Sequence, residues 1–143
     1  MLIWRLYPIA LIAGATSGTA VALVLGVLGT ALVPFVVGLD AASRDPVAST
    51  HIAVSSTPGA LFLLGATAAS YFTSGYISAR YSPGEELANA TAVGAVLLLL
   101  AILGYQHPPM DFVPGWLDAS MASLSLPLSL AGGFAVLRRQ IAA

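Results

Sequence analysis

The chain contains no cysteine, which excludes disulfides, thiol catalysis and cysteine-ligated metals. Charge is almost as scarce. Five basic and six acidic residues make up 8% of the 143, where an ordinary soluble domain carries about a quarter. All of this charge lies outside four apolar stretches: Leu6 to Leu39, Pro58 to Ala79, Leu87 to Gly104 and Ala119 to Leu137. Histidine is missing from them too. Transport coupled to protons or sodium normally uses a charged residue within a span, so the emptied stretches argue against a secondary transporter. A net charge of −1 offers no basic surface to nucleic acid. There is no Ser-His-Asp constellation, phosphate loop or His-Glu-x-x-His motif. The expectation is a non-enzyme without a cofactor.

What the chain has in abundance is apolar length. Hydrophobic residues make up 58% of it, and a helix needs about 20 apolar residues to cross a bilayer core about 30 Å thick. The four stretches therefore predict an all-α, four-transmembrane-helix bundle. It forms one integral membrane domain over residues 1–143, with spans near 8–33, 58–79, 83–104 and 116–137. A cleaved signal peptide is not expected, because the first uncharged run far exceeds a signal core of about 7–15 residues. As one straight helix that run would reach about 50 Å at about 1.5 Å per residue. Pro34 is the expected end or kink, with Phe35 to Leu39 lying at the interface.

Four spans put both termini on one side, together with Arg5, Arg80, Arg138 and Arg139. The other side has only Arg44. Positive residues near span ends favour the cytoplasm, so these four arginines are read as cytoplasmic anchors, with both termini inside. Trp4, Tyr7, Tyr76, Tyr81 and Phe134 then fall near the inner interface. Phe35, Phe62, Tyr105, Phe112 and Trp116 fall near the outer one, as amphipathic rings prefer.

Three spans open on Pro-Gly: Pro58-Gly59, Pro83-Gly84 and Pro114-Gly115. Proline is well tolerated at the first helical position. Thr57 and Ser82 are the expected N-caps, and Ser82 with Glu85 has capping-box spacing. The second and third helices should form a tight antiparallel hairpin. Pro127 falls mid-span in the fourth helix, where it should kink the helix or free a carbonyl that Ser123, Ser125 or a neighbouring helix could satisfy.

Small residues recur at spacing four. The first helix carries Gly14, Gly18, Ala22, Gly26 and Thr30. The second carries Ser70, Ser74 and Ser78, and the fourth Ser125, Ser129 and Gly133. In lipid, small residues let helix backbones approach, and close packing drives association. These residues are the expected helix-packing or subunit interfaces, within one bundle or toward a partner. The end of the second helix, Ser74-Gly75-Tyr76-x-x-x-Arg80, is echoed by Gly132-Gly133-Phe134-x-x-x-Arg138 at the end of the fourth.

The expected function is that of a scaffold or accessory subunit, whose partners are the lipid bilayer and another membrane protein or a second copy. The alternative is an oligomeric passive channel or small-solute transporter lined by Ser70, Ser74 and Ser78. A weaker candidate is an outer-loop metal site at His51, His107 and Asp111, where His and Asp can ligate a divalent ion. No ligand-spacing motif supports it.

The segment Gly75-Tyr76-Ile77-Ser78-Ala79-Arg80-Tyr81-Ser82-Pro83-Gly84-Glu85-Glu86-Leu87, followed by Asn89-Ala90 and Gly94, resembles small four-span bacterial inner-membrane proteins of unknown function. Pro114-Gly115-Trp116 and Gly132-Gly133 fit the same pattern. Ser74 and Ser78 depart from it, standing where the family pattern has Gly and Ala. The resemblance implies a bacterial inner-membrane location and carries no activity with it.

Overall fold

A computed structural model describes residues 6–37, 55–104 and 115–142. They form four helices: α1 (Pro8–Val37), α2 (Thr57–Arg80), α3 (Glu86–Gly104) and α4 (Gly115–Ile141). Each is long and apolar enough to cross a membrane, and no strand occurs among the described residues. The protein is an all-α, four-helix membrane bundle.

Burial is distributed as lipid requires. Fully buried side chains are mostly small or polar, including Ser74, Ser78, Ser82, Asn89, Ser125 and Ser129. Large aliphatics point outward, among them Ile9, Ile12, Leu23, Val27, Leu99 and Leu103. A water-soluble protein places these sets the other way round. Here apolar side chains gain little by leaving lipid, so the interior belongs to residues that bring backbones close.

Helix α2 is the hub. It packs against α1 on one side and α4 on the other, while α3 packs against α4 and α2. Helix α1 adds only a minor contact with α3, and it is the least covered helix. In its most apolar stretch 11% of residues are buried, against 33% in α3. Ala79, Ala90 and Val136, from α2, α3 and α4, form a small apolar cluster with Tyr76 packed against it. The start of α1 lies at the same end, since the Tyr7 N–H reaches Asn89 on α3. The start of α1 and the end of α4 therefore lie at one end of the bundle.

Several helix ends differ from the sequence expectation. Helix α1 continues through Pro34 to Val37. Proline forfeits one backbone bond there, but in lipid a helix remains the economical way to satisfy every other backbone group. The N-cap of α2 is Ser56, not Thr57: its Oγ accepts from the Gly59 N–H at 3.2 Å, and Pro58 falls just inside the helix.

The expected capping box at Ser82 does not form. Ser82 Oγ instead donates backward to the carbonyls of Ser78 (2.8 Å) and Ala79 (3.2 Å). Pro83 and Gly84 build a turn closed by the Glu85 N–H donating to the Ser82 carbonyl at 3.0 Å. Gly84 has φ of 84°, which proline at the second position and glycine at the third of a type II turn provide. That conformation cannot start a right-handed helix, so α3 begins at Glu86 rather than Pro83. The Glu86 carboxylate accepts from the Gly84 N–H at 2.9 Å.

Pro127 lies inside α4. Ser123 donates to the Ser120 carbonyl and Ser125 to the Ala122 carbonyl, each at 2.8 Å. Neither serves the Ser123 carbonyl that Pro127 leaves without its usual helical donor.

Candidate functional site

Most of the residues singled out by spacing lie at three helix contacts. The first joins α1 to α2. A methyl group on Gly14 would stand 2.7 Å from the Ser74 carbonyl oxygen and 2.8 Å from Ser78 Cβ. On Gly18 it would overlap Ser74 Oγ. Ser70 Oγ donates to the Gly18 carbonyl at 2.7 Å. Ser74 Oγ is fully buried and has no hydrogen-bond partner among the described residues. It lies against the Gly18 backbone, where glycine Cα–H groups offer a weak second-order attraction.

The upper part of the α1 row behaves differently. Ala22 is exposed, and a methyl group on Gly26 would meet nothing within 4 Å. At 3.6 residues per turn, each step of four carries a row about 40° round the helix. Gly14 and Gly18 face α2, while Ala22 and Gly26 have turned off it. The side chain of Thr30 lies outside the described residues.

The second contact joins α2, α3 and α4. A methyl group on Gly75 would overlap the Ser129 carbonyl, and one on Gly132 would overlap the Phe72 carbonyl. On Gly94 it would stand 3.0 Å from Ser129 Cβ and 3.1 Å from the Ser125 carbonyl, and on Gly133 it would stand 2.6 Å from Ala90 Cβ. Ser129 Oγ donates to the Tyr71 carbonyl at 3.2 Å. The four-residue ladders do not single out Gly75, Gly94 or Gly132. The echo of Ser74-Gly75-Tyr76 in Gly132-Gly133-Phe134 does contain two of them, and those two echoed segments touch.

The third contact centres on Asn89, fully buried near the start of α3. Its Oδ1 accepts from the Tyr7 N–H at 2.8 Å. Its Nδ2 donates to the Glu85 carbonyl at 3.0 Å, and its own carbonyl accepts from Ser78 Oγ at 3.2 Å. Tyr7 is the residue before α1, and its carbonyl accepts the Leu11 N–H at 3.1 Å. Its N–H is one of the orphan donors at a helix start, here satisfied by a residue 82 positions away. Asn89 stood out in sequence only as an amide close to a span end.

At the same end, Arg80 lies in the last turn of α2, and Arg138 and Arg139 in the last turn of α4. All three are exposed. Arg139 Nη1 donates to Tyr76 Oη at 2.9 Å, and its guanidinium lies 5.7 Å from the centre of the Tyr76 ring. Arg5, His51, His107 and Asp111 fall outside the described residues. Among the described residues no three His, Asp or Glu side chains cluster as metal ligands.

The buried contacts can pack and register helices. Compared with protein-family models, curated proteins and solved structures, the chain finds no match.

Proposed function

We propose that this chain is a non-enzymatic, multi-pass protein of the bacterial inner membrane, with both termini cytoplasmic. It serves there as a scaffold or accessory subunit that docks another membrane helix on the free face of α1, from a partner protein or a second copy. The observation that carries this reading is the divided row on α1. Gly14 and Gly18 are consumed by the contact with α2, whereas Ala22 is exposed and Gly26 has open space beside it. Leu23 and Val27, 66% and 69% exposed, border them. Small residues among aliphatics allow close approach of a further helix in lipid. The resemblance read from Gly75 to Leu87 fits the same location and adds no activity.

The channel alternative draws less support. Ser70 and Ser78 donate to neighbouring helices and Ser74 is wedged against Gly18. These hydroxyls line a closed helix contact rather than a lumen.

The test is an Ala22→Leu, Gly26→Leu double variant, compared with wild type by cross-linking in membranes and by co-purification. Loss of the assembled species with unchanged helicity and thermal midpoint is the expected result. An undiminished complex sinks the reading. The corresponding Gly14→Leu, Gly18→Leu variant is the wrong probe, because those positions support the monomer's own fold.

A further inference from the structure

The end of the bundle where α1 starts and α4 ends carries exposed arginines whose charge the helix contacts do not neutralise. Phe72, Tyr76 and Arg80 follow one another at spacing four on α2, so they lie on one face of that helix. Phe72 and Tyr76 have stacked rings, 6.4 Å between centres and 19° between planes. Phe72 is 39% exposed, Tyr76 is half-buried and Arg80 is exposed. Arg139, from α4, is fixed on the same row by its hydrogen bond to Tyr76 Oη and its position over the ring.

One cation is thus held on the phenol by a second helix, and Arg80 follows one turn further along the same face of α2. No carboxylate among the described residues lies within ion-pairing distance of Arg80 or Arg139. Of the two acidic side chains that follow the turn, Glu86 is buried and engaged by the Gly84 N–H, and Glu85 is half-buried. A positive-inside anchor requires only charge near the surface. It does not require the ordering of Arg139, which gives up the side-chain freedom of a long residue. Tyr76 Oη accepts from Arg139, so its own O–H remains free to donate, and the guanidinium retains further N–H donors. From Phe72 to Arg80 the row rises about 12 Å, which matches the depth from headgroup to upper acyl chain.

We propose that the Phe72-Tyr76-Arg80 face of α2, completed by Arg139 of α4, binds one anionic phospholipid. The headgroup phosphate accepts from Arg80, Arg139 and the Tyr76 hydroxyl, and an acyl chain lies along the Phe72 ring. The site is independent of the partner surface on α1.

The test uses the full chain in nanodiscs of dioleoylphosphatidylcholine containing dioleoylphosphatidylglycerol, with retained lipid counted by native mass spectrometry. Wild type should retain one phosphatidylglycerol in preference to phosphatidylcholine. Arg139→Gln and Arg80→Gln should each lower that retention about tenfold or more, the loss of a hydrogen bond to a charged group. Tyr76→Phe keeps the ring in its apolar cluster and should also lower retention. Arg138→Gln removes the same charge one residue away and should change retention by no more than about fivefold, the contribution of one diffuse basic residue at an anionic surface. Equal retention of the two lipids overturns the proposal, as does an Arg138→Gln loss equal to that of Arg139→Gln, the sign of diffuse surface charge. Displacement of the lipid by millimolar inorganic phosphate also overturns it, because the site would then serve free phosphate. Helicity and thermal midpoint of each variant, unchanged from wild type, exclude misfolding as the cause of a loss.

Discussion

Gly75 and Gly132 meet backbone to backbone where α2 crosses α4. A methyl group on Gly132 would stand 3.1 Å from the Gly75 carbonyl carbon and 2.6 Å from the Tyr76 nitrogen. Neither helix can yield there by turning a side chain, because the obstructing atoms are main chain. This contact joins the two segments that echo each other in sequence.

Gly132→Ala and Gly75→Ala should therefore each destabilise the bundle by about 1–3 kcal/mol, as overpacking does. The midpoint of unfolding in mixed micelles measures it. Gly65→Ala is the matched control, since a methyl group there meets nothing within 4 Å. It should be neutral or stabilising, because alanine is the better helix residue by about 0.5–1 kcal/mol. Equal effects at all three positions would show that helix propensity, not the crossing, decides the outcome.

Gly18 and Ser74 should be coupled in a way that the single variants conceal. Ser74→Ala removes a buried hydroxyl that has no partner among the described residues. Burying such a group costs free energy, so the change should be neutral or stabilising. Gly18→Ala places its methyl on that hydroxyl and should destabilise. In the double variant part of the loss should be recovered, since the methyl still stands 3.0 Å from the Ser70 carbonyl, giving a coupling energy of about 0.5–3 kcal/mol, as for residues in direct contact. A double-variant cycle that sums to zero refutes the contact.

The four spans were legible because the absence of charge over a bilayer-length stretch depends on composition alone. The small-residue rows were legible only in part. Spacing of four marks a face, but about 40° of rotation per step takes Ala22 and Gly26 away from the helix that Gly14 and Gly18 touch. Which residues remain in contact depends on where the neighbour stands, and periodicity does not encode that. The start of α3 was misread for a local reason. Pro83-Gly84 has the composition of a helix opening, yet Gly84 at φ of 84° makes it a type II turn, and Ser82 bonds backward to α2. Asn89 could not be assigned its role because its partner, the Tyr7 N–H, is 82 residues away. Only the tertiary fold brings them together.

Asn89→Ala should detach the start of α1. It removes the acceptor for the Tyr7 N–H, while the Glu85 carbonyl loses the side-chain donor but keeps the Asn89 backbone N–H; leaving the Tyr7 amide unpaired costs about 1–3 kcal/mol. Amide exchange at Tyr7 should accelerate, while protection in the middle of α2 stays as in wild type. Thr91→Ala provides the comparison, since Thr91 bonds only to the Leu87 carbonyl of its own helix at 2.7 Å. If both variants exchange alike at Tyr7, the amide is not held by Asn89.

Hydroxyls and glycines should contribute very unequally to the same contacts. Ser70 and Ser129 each send one hydrogen bond across a helix interface, at 2.7 Å to Gly18 and 3.2 Å to Tyr71. Interhelical hydrogen bonds in membranes average about 0.6 kcal/mol, because the separated helices find other partners. Ser70→Ala and Ser129→Ala should thus cost about 0.6 kcal/mol each, and about 1.2 together, since they serve different helix pairs. Gly132→Ala alone should cost more than both. Unfolding midpoints in one series of micelles rank the three directly. A serine loss exceeding the glycine loss would make hydrogen bonding, rather than close backbone approach, the force that assembles this bundle.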